Sequence, residues 1–300
     1  MRRRPRAWLP LALLALAAVT LTACSSNPAR RAERGGASHG APRDNTSLSQ
    51  AQRYHQRNDS TPDIADIDFS KIPEPVPEAL PRSRYGNKSP YSVNGRSYRV
   101  LSSAAGYDER GIASWYGTKF NGYKTSNFET YDMYKFSAAS PVLPLPSFAR
   151  VTNLANGKSV VVRVNDRCPF VPNRIIDLSL AAAVRIGIYP KGSGLVEVQG
   201  IDPAHPHAEP APVTAVTARN GKAPQLYVQV GAFADAGNAD RLAARLRGQG
   251  LGTVRVVSAK VGGRTLNRVQ IGPLSDADAV DRTTAKLDTL GLPHASVAIQ

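Results

Sequence analysis

The chain is poor in cysteine. It has two in 300 residues, Cys24 and Cys168. Cys24 ends an N-terminal apolar run, so the rest of the chain holds a single thiol and no internal disulfide can staple it. Histidine is scarce too: His39, His55, His205, His207 and His294 are the five, and none falls between Tyr107 and Asp202. That stretch has no histidine to activate Cys168 as a nucleophile and no histidine cluster to hold a metal. Acidic residues are outnumbered, 23 Asp and Glu against 38 Lys and Arg, for a net charge of +15 and a pI near 10.1. The excess is spread along the chain, which suits an anionic envelope polymer or membrane as well as a merely soluble surface. "MRRRPRAWLPLALLALAAVTLTAC" places Arg2, Arg3, Arg4 and Arg6 before an apolar segment and small residues. This is the pattern of a secretory signal over residues 1–23. Export largely removes nucleic acid as a partner.

Leu21-Thr22-Ala23-Cys24 resembles the bacterial lipobox. The resemblance implies that the Cys24 thiol is acylated and becomes the mature N-terminus. More than one acyl chain is needed for stable anchoring. Ser25, in place of an aspartate, resembles the signal for outer-membrane sorting, which implies the periplasmic face of that membrane. Residues 24–106 are rich in Ser, Pro, Asn and Arg. "SKIPEPVPEALPRSRYGNKSPY" repeats proline too often for a helix or a central strand. The expectation is a lipidated tether, largely disordered, whose apolar spots such as Ile72 and Val76 clip onto a folded domain.

The text changes over residues 107–202. "GIASWYG", "ARVTNLANGKSVVVRVND", "RIIDLS" and "GLVEVQGI" read as short strands. Asn156-Gly157 is the strongest hairpin signal. "LSLAAAVRIGI" is the one short helix, ended by Gly187. Many short strands and one small helix predict a closed β-barrel. Residues 203–221 are a Pro/Ala linker. Residues 222–300 hold a repeat: "VQVGAFADAGNADRLAARL" begins at Val228 and "VQIGPLSDADAVDRTTAKL" at Val269. Each copy reads strand, turn, helix, with Asp235 or Asp276 at the helix N-cap. "TVRVVSAKV" and "ASVAIQ" add a strand after each helix. The prediction is a ferredoxin-like α+β sheet with helices on one face. The fold class is mainly β plus α+β.

The repeat, through "LYVQVGAF" and "RVQIGPL", resembles the SPOR domain. That resemblance implies binding to glycan strands stripped of stem peptides at division sites. Strand alternation puts Val228, Val230, Val269 and Ile271 on the helix side. Tyr227, Gln229, Arg268 and Gln270 then line the open face. Amides, a phenol and a guanidinium suit hydroxyls and acetamides, although a plain solvated face would read the same. "GIASWYGTKFNG", "TSNFETYDMY", "LPLPSFARVTNLANGKSVVVRVNDRCPF" and "RIIDLSLAAA" together resemble the rare lipoprotein A family of septal lytic transglycosylases. The resemblance implies a double-psi β-barrel. It also implies cleavage between N-acetylmuramic acid and N-acetylglucosamine with closure of a 1,6-anhydro ring, and no cofactor.

One carboxyl group can make both proton transfers of that reaction. The resemblance places it at Asp166, at the end of a strand anchored by Val162 and Val164, and a second acid at Glu129. A structural aspartate paired with Arg167 or capping a turn is the other reading of Asp166. Asp132 and Asp177 are weaker rivals, Asp132 facing solvent and Asp177 capping the helix near Leu180. Tyr116, Arg167 and Ser140 are candidate substrate contacts; Tyr116 and Trp115 could equally be core. The chain departs from the family pattern at Phe128 (usually glycine), Ser140 (usually histidine) and Cys168 (usually glycine). A non-catalytic glycan-binding lipoprotein whose barrel site has drifted is the alternative. A two-carboxylate hydrolase is a third reading.

Overall fold

The computed structural model describes residues 44–48, 50–54, 56–171, 173–205, 225–293 and 295–300. The signal segment, Cys24 and most of the Pro/Ala linker lie outside the described residues. Among the described residues, the elements before the barrel are a single-turn helix α1 (Gln50–Arg53), a 3-10 turn (Phe69–Lys71) and a hairpin, β1 (Tyr91–Val93) with β2 (Arg96–Tyr98). The barrel contains β3 (Asp108–Tyr116), β4 (Ser137–Ala139), β5 (Ser147–Asn153), β6 (Ser159–Asp166), β7 (Arg174–Ser179), α2 (Leu180–Arg185) and β8 (Ser193–Gly200). Its closed order is β3-β7-β4-β6-β5-β8. Strands β3 and β7 are parallel, as are β4 and β6, and the antiparallel pairing of β4 with β7 joins the two pairs.

Valine drives β6. Val160, Val162 and Val164 are fully buried with Val151, Ile176, Leu178 and Val196 in one apolar cluster. Each such side chain contributes about 1.5–3 kcal/mol by leaving water. The Asn156-Gly157 hairpin forms between β5 and β6, with Gly157 at φ 72°. Only glycine takes that left-handed backbone freely. Helix α2 ends before Gly187, also at φ 72°. Its N-cap is Ser179, whose hydroxyl accepts from the Ala182 amide, and not Asp177. The cap must stand directly before the first turn, and Asp177 lies two residues too early.

Part of the expected tether lies within the described residues and packs on the barrel. Residues 56–106 form a strap around the barrel. Phe69 is buried in the barrel's own core cluster, and Ile64, Ile67 and Ile72 pack against it. Arg185 donates to the carbonyls of Phe69 and Ile72. Asp59 accepts from the amides of Gly117 and Lys119. Asn87 both donates to and accepts from the backbone of Leu145. The strap is held by caps, carbonyls and scattered apolar residues. Val76 stays 78% exposed, so of the two named apolar spots only Ile72 is clipped.

The C-terminal domain runs β9 (Leu226–Phe233), α3 (Ala236–Arg247), β10 (Val254–Val261), β11 (Arg264–Leu274), α4 (Ala277–Thr289) and β12 (Ser296–Ile299). Sheet order is β10-β11-β9-β12, all antiparallel. Asp235 and Asp276 accept from the amides of Asn238 and Ala279, as N-caps do. Val228, Val269 and Ile271 are fully buried. Val230 is only part-buried, because a register shift falls between the pairs Val269↔Gly231 and Gln270↔Gln229.

Candidate active site

Strand β6 delivers two polar residues in a row at its end. The β4–β6 ladder pairs Ala138 with Val164 and Ala139 with Asp166, so Asn165 is the extra residue of a bulge. Bulges re-aim side chains, and here both Asn165 and Asp166 reach the loop of residues 125–129. Asp166 accepts at Oδ1 from the Ser126 amide (2.8 Å), the Ser126 hydroxyl (2.5 Å) and the Arg167 amide (2.7 Å). Oδ2 has no protein partner among the described residues. Burial pushes the Asp166 carboxyl above the usual range; the Ser126 and Arg167 donors and the Arg53 charge offset only part of this.

Glu129 has the opposite surroundings. Burial pushes its carboxyl up, but hydrogen bonds from Arg163, Asn165 and Asn127 outweigh that and hold it below the ordinary value. Arg163 donates to both oxygens, at 2.7 Å and 3.0 Å, and Asn165 adds a bond of 2.9 Å. Such fork-shaped pairing fixes orientation as well as charge. Glu129 opens onto a groove of about 430 Å³ lined also by Arg163, Asn165 and Phe136, with strap residues Ile72–Pro75 as one wall. The two carboxyls are thus shifted in opposite directions, Asp166 up and Glu129 down, the kind of divergence that acid–base sites use.

A third carboxyl belongs to the same end of the barrel. Ala139 pairs with Asp166 on one side and with Asp177 on the other. Asp177 accepts from the Ser114 hydroxyl. Burial raises its pKa, with the Ser114 bond and the Arg174 charge pulling back. Cys168 lies beside it. Burial pushes that thiol well up, and the nearby aspartates add to the shift, which disfavours the thiolate a nucleophile needs. Asp132 sits at a turn, accepting from the Tyr134 amide, with a side chain 40% exposed.

The three expected substrate contacts occupy buried positions with partners inside the protein. Tyr116 is buried and stacks on Tyr131, centroids 4.2 Å apart, so its ring presents no free face. The Ser140 hydroxyl accepts from the amides of Val142 and Leu143 in the turn after β4. Its amide in turn holds the Asp166 carbonyl. Arg167 is buried, and its guanidinium donates to the carbonyls of Gly86, Ser140 and Leu143 and to Asn87. Trp115 is part-buried against Tyr189 and donates to the Lys191 carbonyl. Sequence reasoning missed Ser126, Asn127, Arg163 and Asn165, although Asn165 stands next to the chosen acid.

On the C-terminal sheet, Gln229 and Arg268 are part-exposed as expected, but Tyr227 and Gln270 are buried. Arg255 covers them. Its guanidinium lies 3.5 Å from the Tyr227 ring centroid and donates to Gln270 Oε1 at 3.0 Å. Arg255 and Gln270 are directly paired across β10 and β11, so the arginine folds back over its own neighbour.

Residues 108–199 match the DPBB_1 family, described as lytic transglycolase, and residues 223–297 match the SPOR domain. The endolytic peptidoglycan transglycosylase RlpA of Pseudomonas aeruginosa strain UCBPP-PA14 is 47% identical over 204 residues, 67% of this chain and 56% of that protein. The RlpA of Campylobacter jejuni is 37% identical over 217 residues, 67% of this chain and 72% of its own. The chain belongs to the RlpA family. It spans little more than half the length of the Pseudomonas relative. A solved structure of the RlpA SPOR domain from Pseudomonas aeruginosa is 36% identical over 24% of this chain and 96% of that one, with a TM-score of 0.24. In this chain a six-stranded closed barrel is followed by a SPOR domain, the order of elements that the sequence pattern leads one to expect.

Proposed function

We propose that this chain is a lytic transglycosylase of peptidoglycan, cutting glycan strands that lack stem peptides. The contrast between Asp166 and Glu129 carries the reading. Asp166, protonated and with Oδ2 unencumbered, gives its proton to the glycosidic oxygen as the C1–O bond of the muramic sugar breaks. The resulting carboxylate takes the proton of the muramic 6-hydroxyl as that oxygen bonds to C1. The 1,6-anhydro ring closes, no water is consumed, and Asp166 ends as it began. Glu129, held ionised by Arg163 and Asn165, offsets positive charge developing on the sugar ring.

The binder reading has one observation in its favour. Ser140 stands where the family resemblance implies histidine, and its hydroxyl is engaged by the turn after β4. Mass spectrometry of purified denuded strands after incubation with the mature protein separates the readings. Anhydro-muramic ends are expected. Reducing ends would indicate a two-carboxylate hydrolase, and intact strands would leave only binding.

Localisation extends the same proposal. Acylated Cys24 anchors the chain to the periplasmic face of the outer membrane, and the SPOR domain enriches it at the septum. Gln229, Arg268 and the outermost guanidinium, Arg255, are the groups that meet the glycan. Residues 222–300, exported alone in a Gram-negative host, are expected to gather at division sites. Uniform envelope fluorescence would overturn this.

A further inference from the structure

Near the carboxyl site Tyr116, Tyr123, Tyr131 and Phe136 are buried, and Tyr54, Trp115, Phe120 and Tyr134 are part-buried. Among the described residues two aromatic side chains are exposed. Tyr85 is 47% exposed and Phe128 is 44% exposed. Their rings pack together with centroids 4.2 Å apart and planes at 39°. One comes from the strap and the other from the loop that carries Ser126 and Glu129, so two distant segments meet to make the pair.

The meeting is fastened on both sides. The Ser83 hydroxyl donates to the Asn127 carbonyl, and Arg167 holds the Gly86 carbonyl at 2.7 Å. Gly86 has φ 73°, and a Cβ there would stand 2.9 Å from the Ser126 carbonyl oxygen, so the strap backbone lies directly against the loop. Phe128 itself has φ 71°. Bulky residues avoid this left-handed backbone, and such strain gathers at functional sites. Glycine would sit there unstrained. The chain carries a large ring instead and leaves it facing water, between the residue that holds Asp166 and Glu129.

We propose that Tyr85 and Phe128 form a stacking platform for one pyranose ring of the glycan, beside the carboxyl site. The inference rests on the glycan reading above. The electron-rich face of an aromatic ring attracts the weakly positive C–H face of a sugar. A pair of rings is too small a patch for a protein partner but matches one monosaccharide. Its neighbours select further. Arg82, Arg84 and Lys88 are all exposed on the same short segment as Tyr85. Three cations beside the platform favour a sugar that bears a carboxylate, as N-acetylmuramic acid does once its peptide is gone.

The test uses the full chain. Hydrogen exchange is followed by mass spectrometry with Asp166→Asn protein, so that strands stay intact. Denuded muramic-containing strands are expected to protect amides in 83–87 and 125–129, and uncharged chitotetraose to protect them less. The double variant Tyr85→Leu with Phe128→Leu should lose this protection, whereas Phe128→Tyr keeps it. In otherwise unaltered protein the double variant should raise KM at least fivefold with kcat within twofold. Protection that survives the double variant, equal protection by both sugars, or an unchanged KM overturns the platform. The two proposals fail separately. Local protection without anhydro product sinks the enzyme and leaves the platform; anhydro product with an unchanged KM does the reverse.

Discussion

Asp166→Asn is expected to slow anhydro-product formation by about 10²–10⁴-fold, the usual worth of a positioned acid–base group. The same variant should melt no lower than the parent at pH 7. Both results have one cause. Burial raises the Asp166 pKa above the ordinary carboxyl range. A carboxyl with a raised folded pKa stabilises the fold fully below its unfolded pKa, and that contribution is lost as pH rises through the folded value. Asparagine keeps an acceptor for the Ser126 and Arg167 donors and carries no charge to bury. The stability difference should therefore be small at pH 3 and favour asparagine at pH 7. In the parent, kcat/KM should fall on the alkaline side as Asp166 loses its proton. Persisting product, or an asparagine variant that melts lower at pH 7, removes Asp166 from the role of acid.

Arg167→Met is expected to cost about 3–5 kcal/mol, since several hydrogen bonds from a charged donor are lost at roughly 1.5–3 kcal/mol each and do not add fully. For a folded unit of this size that is a fall in Tm of roughly 10 °C. Burial lowers the Arg167 pKa to about 10, so the group is still a cation at neutral pH. It spends its donors on neutral acceptors from two parts of the chain: Gly86 and Asn87 of the strap, Ser140 and Leu143 of the barrel. Methionine fills the stem's volume and leaves three carbonyls without this donor. Arg167→Lys should recover little, because an ammonium cannot reproduce the planar fork. A substrate-binding arginine would behave otherwise, raising KM with Tm unmoved. Thermal melts and KM together decide between these roles.

Residues whose roles are local were legible. Asp235 and Asp276 stand where caps must stand, and Asn156-Gly157 can hardly be other than a turn. The valines of β6 announced a buried strand. Faces were legible as alternation, but alternation cannot say what covers a face. Tyr227 and Gln270 are on the expected side of the sheet and are buried there by Arg255, a residue from another strand. Arg167 and Ser140 looked free because their acceptors and donors come from turns and from the strap. The strap itself hid for a related reason. A segment that binds through caps and carbonyls needs no 2- or 3.6-residue period, and its prolines suit an extended path over a surface.

The residues just before the strap bear on reach. Arg53 is paired with Asp44 and donates to the Lys124 carbonyl beside the carboxyl site. A chain free from Cys24 to Tyr107 could stretch roughly 290 Å, whereas one free only from Cys24 to Asp44 stretches roughly 70 Å at most. Under the proposed acylation of Cys24, that shorter reach would confine the barrel to a thin shell under the membrane, and only glycan within that shell would be open to the proposed cleavage.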